Sequence, residues 1–235
     1  MEEHPDGELE AADDEPGTQL LPIFPLPDVW LSPMTLMPLN IFEPRYRRMI
    51  EDLLDGPGRL VMGTVVEGQD GQDVPEIYPI AGLGEIGRHE KLDDGRFMIW
   101  VMGLKRVRVV EVESDHPYRM VEAESISESQ PEGKEKEMLI VSLRRALDEV
   151  LAEMPEKQRP PEKVLKNLTV GSLADILCSR LELERARIQE IFATLDTAER
   201  ARMVLGEYAQ MKLSEGEESE GNESKDSESE DDTPS

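Results

Sequence analysis

LPIFPLPDVWLSPMTLMPLNIFEPRY, residues 21–46, decides how the first half of this chain folds. Prolines 22, 25, 27, 33, 38 and 44 each lack an amide donor and hold φ near one value, which rules out a continuous helix or a long central strand. The apolar residues between them predict short extended pieces over 20–24, 29–31 and 35–39, with sharp turns joining them. At Pro44 the pattern changes. Tyr46, Met49, Ile50, Leu53 and Leu54 recur at helical spacing, Pro44 suits the first helical position, and Asp55-Gly56-Pro57-Gly58 stops the helix.

Moving outward, residues 59–66 (RLVMGTVV) predict a strand and 67–73 an exposed loop without apolar side chains. Residues 76–81 and 83–86 together read as the next extended segment, and 91–95 as a hairpin turn. Strands are predicted over 97–103 and 106–112, a turn at Asp115-His116-Pro117, and a last strand over 118–125. About six or seven short strands with one short helix form a compact, mostly antiparallel sheet or a partly closed barrel.

Past a linker at 130–133 the composition becomes helical. Ile140, Leu143, Leu147, Val150, Leu151 and Met154 make one apolar stripe that ends at Pro155. Pro160-Pro161 opens a short helix to about 168, Ser172 with Asp175 opens another, and residues 183–195 carry a third. Asp196-Thr197-Ala198-Glu199 has the form of a capping box for the last helix, which is expected to end near 213. The fold class expected is α+β: a β-rich subdomain over 20–130, then a helical bundle over 134–213. Residues 1–19 and 214–235 are expected to be disordered acidic tails.

Charge narrows the function. The net charge is −26, and residues 1–20 alone hold eight acids with no lysine or arginine. Phosphate binding needs clustered cations, so nucleic acid is disfavoured as a partner. The basic groups at Arg45/Arg47/Arg48 and Lys105/Arg106/Arg108 read as solvated faces of amphipathic elements. The single cysteine, Cys178, excludes an internal disulfide and a multi-thiolate metal site, and its apolar helical surroundings predict a buried thiol. No signal peptide and no apolar run of about 20 residues is present, so a cytoplasmic chain is expected.

Catalytic chemistry finds little support. Gly82, Gly84 and Gly87 satisfy G-x-G-x-x-G, but a dinucleotide site needs a helix starting at that turn, and RHEKLDDGRF runs into a hairpin instead. These glycines are read as close-packing or bulge positions. No Walker loop occurs. His4, His89 and His116 stand in a tail and two turns without partners at ligand spacing. Glu43 is placed to cap the helix and pair with Arg45 or Arg47. The expectation is no catalytic residue, no cofactor and no metal.

LPIFPLPDVWLSP and MPLNIFEPRYRRMI resemble the opening of the N-terminal domain of Lon proteases, and Ile41, Phe42, Glu43, Pro44, Arg45 and Tyr46 carry the most specific part of that pattern. GRFMIWVMGLKRVRVVEV and LEL…IQEIFATLDTAERARMV are similar to later parts of the same domain. Ser32-Pro33-Met34 departs from it, since many members carry glycine after that proline. The resemblance implies a PUA-like β part followed by helices, and a non-enzymatic module that binds unfolded or degron-bearing polypeptide or a protein partner, such as a separate protease or ATPase. The family's ATPase and Ser–Lys peptidase modules have no counterpart in residues 1–235. The expected surface is a groove between sheet and helices near Trp30, Met34, Met37, Phe42, Tyr46 and Trp100, pliable thioethers suiting varied apolar sequences. Alternatives from other classes are an RNA-contacting PUA-like domain, which the charge opposes, and a protein with a small-molecule pocket.

Overall fold

In the computed structural model, residues 17–156, 159, 165 and 168–226 are described, with side chains as far as 214. The chain divides between Ser127 and Glu128 into two compact units. The first holds β1 (Thr18–Leu26), β2 (Leu36–Ile41), α1 (Pro44–Leu54), β3 (Arg59–Thr64), β4 (Ile80–Lys91), β5 (Phe97–Val112) and β6 (Met120–Ser125). The second holds α2 (Gly133–Ala152), α3 (Val170–Cys178), α4 (Arg185–Ala193) and α5 (Thr197–Asp226).

The six strands form one sheet in the order β2-β5-β4-β3-β1-β6, and a further β5–β6 pairing closes five of them into a ring. All pairings are antiparallel except β1 with β3. Side chains alternate across a strand, so neighbouring residues enter different cores. Ile23, Val61, Leu83, Val107, Val109 and Val121 form a cluster drawn from all five ring strands. Phe24, Leu60, Met62, Ile99 and Val101 face the other way and pack with Tyr46, Met49 and Ile50 of α1.

Three expectations about strands change. Residues 29–31 are not a strand, because the segment crosses the face of the sheet instead of pairing at an edge. It lies where Gly82, Gly84 and Gly103 carry no side chain, and Leu31 is fully buried there. The two strands expected at 97–103 and 106–112 are one, β5, with Leu104 the extra residue of a bulge opposite Leu83 and Gly84. The segment expected over 76–86 is shifted: β4 starts only at Ile80 and runs on to Lys91, with Gly87 the extra residue of a second bulge.

The turn at Ser32-Pro33-Met34-Thr35 keeps its shape without glycine. Thr35 N donates to Ser32 O at 3.2 Å, proline sits second, and Met34 takes φ 63°. That is the type II arrangement, whose third residue needs positive φ.

In the second unit α3 packs against α2 and α5 through Leu143, Leu147, Leu173, Leu177, Ala201 and Val204. Helix α3 starts earlier than expected. Thr169 caps it, its Oγ1 accepting from Ser172 N at 3.1 Å, so Ser172 is donor and not cap. Asp196 does cap α5, its Oδ1 accepting from Ala198 N at 2.9 Å and Glu199 N at 3.0 Å, and these bonds hold its carboxyl below the usual range. Helix α5 continues to Asp226, past the expected end near 213, as glutamate-rich sequence propagates a helix already nucleated. The helix expected from Pro160 lies mostly outside the described residues.

Two arginines are buried, against the expectation for Arg106 of a solvated face. Arg106 pairs opposite Gly82 and so shares the face that the Leu31 backbone crosses. Arg200 is 0% exposed. Its Nη1 donates to Glu128 Oε1 at 3.0 Å and to the Thr194 carbonyl at 2.7 Å, its Nη2 reaches Glu128 Oε2 at 3.1 Å, and Asp175 Oδ1 lies 3.2 Å from Nε.

Candidate functional site

Strand β2 pairs only with β5, so it is the open edge of the sheet, where Pro38 needs no partner for a missing amide. Directly opposite residues share a face, and the register sets Leu36 against Met102, Pro38 against Trp100 and Asn40 against Met98. The intervening Met37, Leu39 and Ile41 turn to the core with Ile99 and Val101. What is left outward is an apolar strip. Leu36 is 56% exposed, and Met98, Trp100 and Met102 are half-buried beside it.

Both ends of the strip are extended by exposed large side chains. Met34 precedes it at 71% exposure and Phe42 follows it at 63%. On the other side β4 sets Arg88 opposite Trp100, the guanidinium carbon 4.7 Å from the ring centroid. Helix α1 starts two residues after Phe42, at Pro44. Glu43 stands at its N-cap with extended backbone, and its carbonyl accepts from Arg47 N at 2.9 Å. The Glu43 side chain makes no cap bond, contrary to expectation; its Oε2 accepts from Arg45 Nε at 3.0 Å instead.

The six residues expected on a binding surface therefore separate. Met34, Phe42 and Trp100 belong to the strip. Trp30 is half-buried in the crossing segment, and Met37 packs against the core. Tyr46 is 4% exposed, its ring edge-on to Phe24 at 4.5 Å between centroids, and burial raises its pKa. Leu36 and Pro38 were missed; their even spacing from Met34 to Phe42 is the signal that shows them. Met98 and Met102 do share a face, through the strand period of two.

Among the described residues, no group of three or more His, Cys, Asp or Glu side chains could hold a metal, and no helix is long and apolar enough to cross a membrane. Cys178 is buried. His89 lies exposed in β4 and not in a turn, and His116 stacks on Tyr118 at 4.8 Å.

Comparison with known proteins bears on what this surface serves. The chain is similar to Lon protease 2 of Sorangium cellulosum, 33% identical over 197 residues, and to the Lon protease of Dictyoglomus thermophilum, 31% identical over 203 residues. These alignments take in 81% and 84% of this chain but only 24% and 25% of those proteins, so the chain spans about a quarter of their length. Its fold matches the N-terminal domain of Mycobacterium avium complex Lon protease with a TM-score of 0.63 at 17% identity, covering 81% of this chain and 98% of that one. A Lon N-terminal domain protein from Xanthomonas campestris gives 0.60 at 20% identity, covering 80% and 98%. The model of the ATP-dependent protease La (LON) substrate-binding domain matches residues 20–208, and the chain belongs to that family.

Proposed function

We propose that this chain is a non-catalytic polypeptide-recognition module, and that it binds unfolded or degron-bearing segments on the outward strip of β2 and β5. The observation that carries this reading is the strip itself: Leu36, Trp100 and Met102 contiguous on an open edge, with Met34 and Phe42 exposed beyond. Large apolar side chains left out of a core in this number mark an interaction surface. Methionines adapt to varied partners, and an edge strand offers backbone groups for an extended chain to pair with. Family membership supports a role in substrate recognition. The bound segment would be handed to a separate protease or ATPase.

The test is retention of a permanently unfolded, reduced and carboxymethylated polypeptide by the immobilised chain. Leu36→Ser removes an exposed side chain and is expected to weaken retention about tenfold while leaving the fold intact. Equal retention by the variant would move the site elsewhere. Casein incubated with the pure chain and ATP is expected to stay intact; cleavage products would overturn the non-catalytic assignment.

A further inference from the structure

A small cavity of about 270 Å³ opens in the first unit, between the first two turns of α1 and the turn that joins β4 to β5. Its wall holds three cations, Arg47, Arg48 and Lys91, and one acid, Glu51, with Pro44 and Gly95 completing it. Cations gathered in a concavity stand out on a chain whose net charge is −26.

Two of the three are committed within the protein. Lys91 Nζ donates to Glu51 Oε1 at 2.9 Å, and that bond holds the Glu51 carboxyl below its usual range. Arg48 donates from Nε to Asp52 Oδ2 at 3.2 Å, and its Nη2 lies 2.9 Å from Asp52 Oδ1. Arg47 is different. Its side chain makes no hydrogen bond or ion pair among the described residues, and its Nε is buried without an acceptor. The guanidinium lies against the β4–β5 turn, where a Cβ at Gly95 would stand 3.0 Å from Nη1. A buried donor on a charged group is costly to leave unmet, so a partner improves on the position that Arg47 holds. No bond fixes it there, and a rotation of its flexible stem turns the Nε–Nη edge into the cavity.

The charge count selects the ligand. With Lys91 and Arg48 paired, one positive charge is spare, which matches a monoanion. A phosphate dianion would bring a second charge against Glu51. The edge of a guanidinium is also the planar fork that both oxygens of a carboxylate meet. Volume selects the size. Sites that enclose a whole ligand run from roughly 300 Å³ upward and have apolar or aromatic walls, whereas this one is smaller and mostly charged. It suits an end group whose parent molecule lies outside, and exposed apolar surface for that parent begins two residues before Pro44, at Phe42.

We propose that this cavity is a carboxylate site, and that the carboxylate comes from a bound polypeptide, as its C-terminal group or as a Glu or Asp side chain. The proposal rests on the polypeptide-binding reading above and adds a preference to it: segments in which an acid adjoins apolar residues. The overall negative field of the chain opposes such an acid, so the preference is made locally, by Arg47.

The test uses the full chain at physiological salt and fluorescence anisotropy of three N-terminally labelled apolar peptides. One ends in a free carboxylate, one is the same sequence as the carboxamide, and one is the carboxamide with a glutamate replacing an internal leucine. At least one of the two acids is expected to bind about tenfold more tightly than the plain amide, the free acid if the site reads chain ends and the glutamate peptide if it reads side chains. Arg47→Gln is expected to abolish that preference and leave the plain amide unaffected. Arg180 is exposed in the second unit and makes no ion pair among the described residues; Arg180→Gln removes the same charge and is expected to keep the preference. Arg47→Lys keeps the charge without the fork and is expected to reduce the preference several-fold. If neither acid binds more tightly than the amide, or if the preference survives Arg47→Gln or falls equally in Arg180→Gln, this proposal is overturned and polypeptide recognition stands. If no peptide binds, polypeptide recognition falls, and N-acetylglycine and inorganic phosphate are titrated separately against the amide resonances of residues 91–96. Saturable shifts with N-acetylglycine that Arg47→Gln removes support the carboxylate site; shifts with phosphate alone, or none, overturn it as well.

Discussion

The carbonyl oxygen of Leu31 occupies the space where a side chain at Gly82 would begin: a Cβ at position 82 would lie 2.2 Å from it. No side-chain rotation relieves that clash, because both partners are backbone. Gly82→Ala is therefore expected to destabilise the first unit by about 3 kcal/mol, read from the urea midpoint. Gly87→Ala is the contrast, since its Cβ would meet nothing closer than the Trp100 carbonyl at 3.9 Å; it is expected to change stability by less than about 0.5 kcal/mol. Two glycines of one apparent nucleotide motif thus differ in a way that nucleotide binding would not produce.

Met34 carries the opposite sign. A methionine at φ 63° is strained, and Met34→Gly is expected to stabilise the chain by up to about 1 kcal/mol, seen as a higher melting temperature. The same change removes the most exposed thioether beside the strip, so retention of unfolded polypeptide is expected to fall as the melting temperature rises. A variant that gained stability without losing retention would separate Met34 from the surface.

Arg200 is expected to be the most sensitive position of the second unit. Removing it leaves Asp175 and Glu128 without their shared cation, and Arg200→Ala is expected to cost about 3–5 kcal/mol in chemical denaturation. Gly171→Ala probes the same packing from outside the ion group, because its Cβ would fall 2.6 Å from Arg200 Nη2. Both are expected to lower the helical transition and to leave the β unit's tertiary signal in place.

Tyr118 links stability to alkaline pH. Burial, and then its hydrogen bond to Asp52 Oδ2 at 2.9 Å, push its pKa up to about 12. A phenol whose folded pKa is raised contributes stability that is complete below its unfolded value near 10 and is lost as pH rises toward 12. Tyr118→Phe is expected to cost about 1 kcal/mol at neutral pH. Its stability profile is then expected to converge with that of the parent chain across that alkaline window. Absorbance at 295 nm checks the titration directly.

Much of the first unit was legible because proline and glycine act locally. Pro44 with Tyr46, Met49 and Ile50 identified α1, and Asp93-Asp94-Gly95 identified the turn between β4 and β5. What stayed hidden was set by contacts distant in sequence. Residues 29–31 have strand composition, yet three glycines from β4 and β5 draw the segment over the sheet. Arg106 and Arg200 carry no sequence mark of burial, because their partners or covering segments come from elsewhere in the fold. The strip was half legible. Trp100 and Met34 stood out as large and apolar, but which neighbours point outward depends on a register that only the paired strands define.

The ring places its first-made strand between two others: β1 lies between β3 and β6. While the chain is being translated, residues 18–26 can dock along β3 early, but their second neighbour leaves the ribosome about a hundred residues later. Until then one flank of β1 is open, and Leu20 and Leu21 stand unpaired. Closure is thus a late, long-range event, and the nascent polypeptide is expected to depend on holding factors through this interval more than an α-helical domain of equal size would.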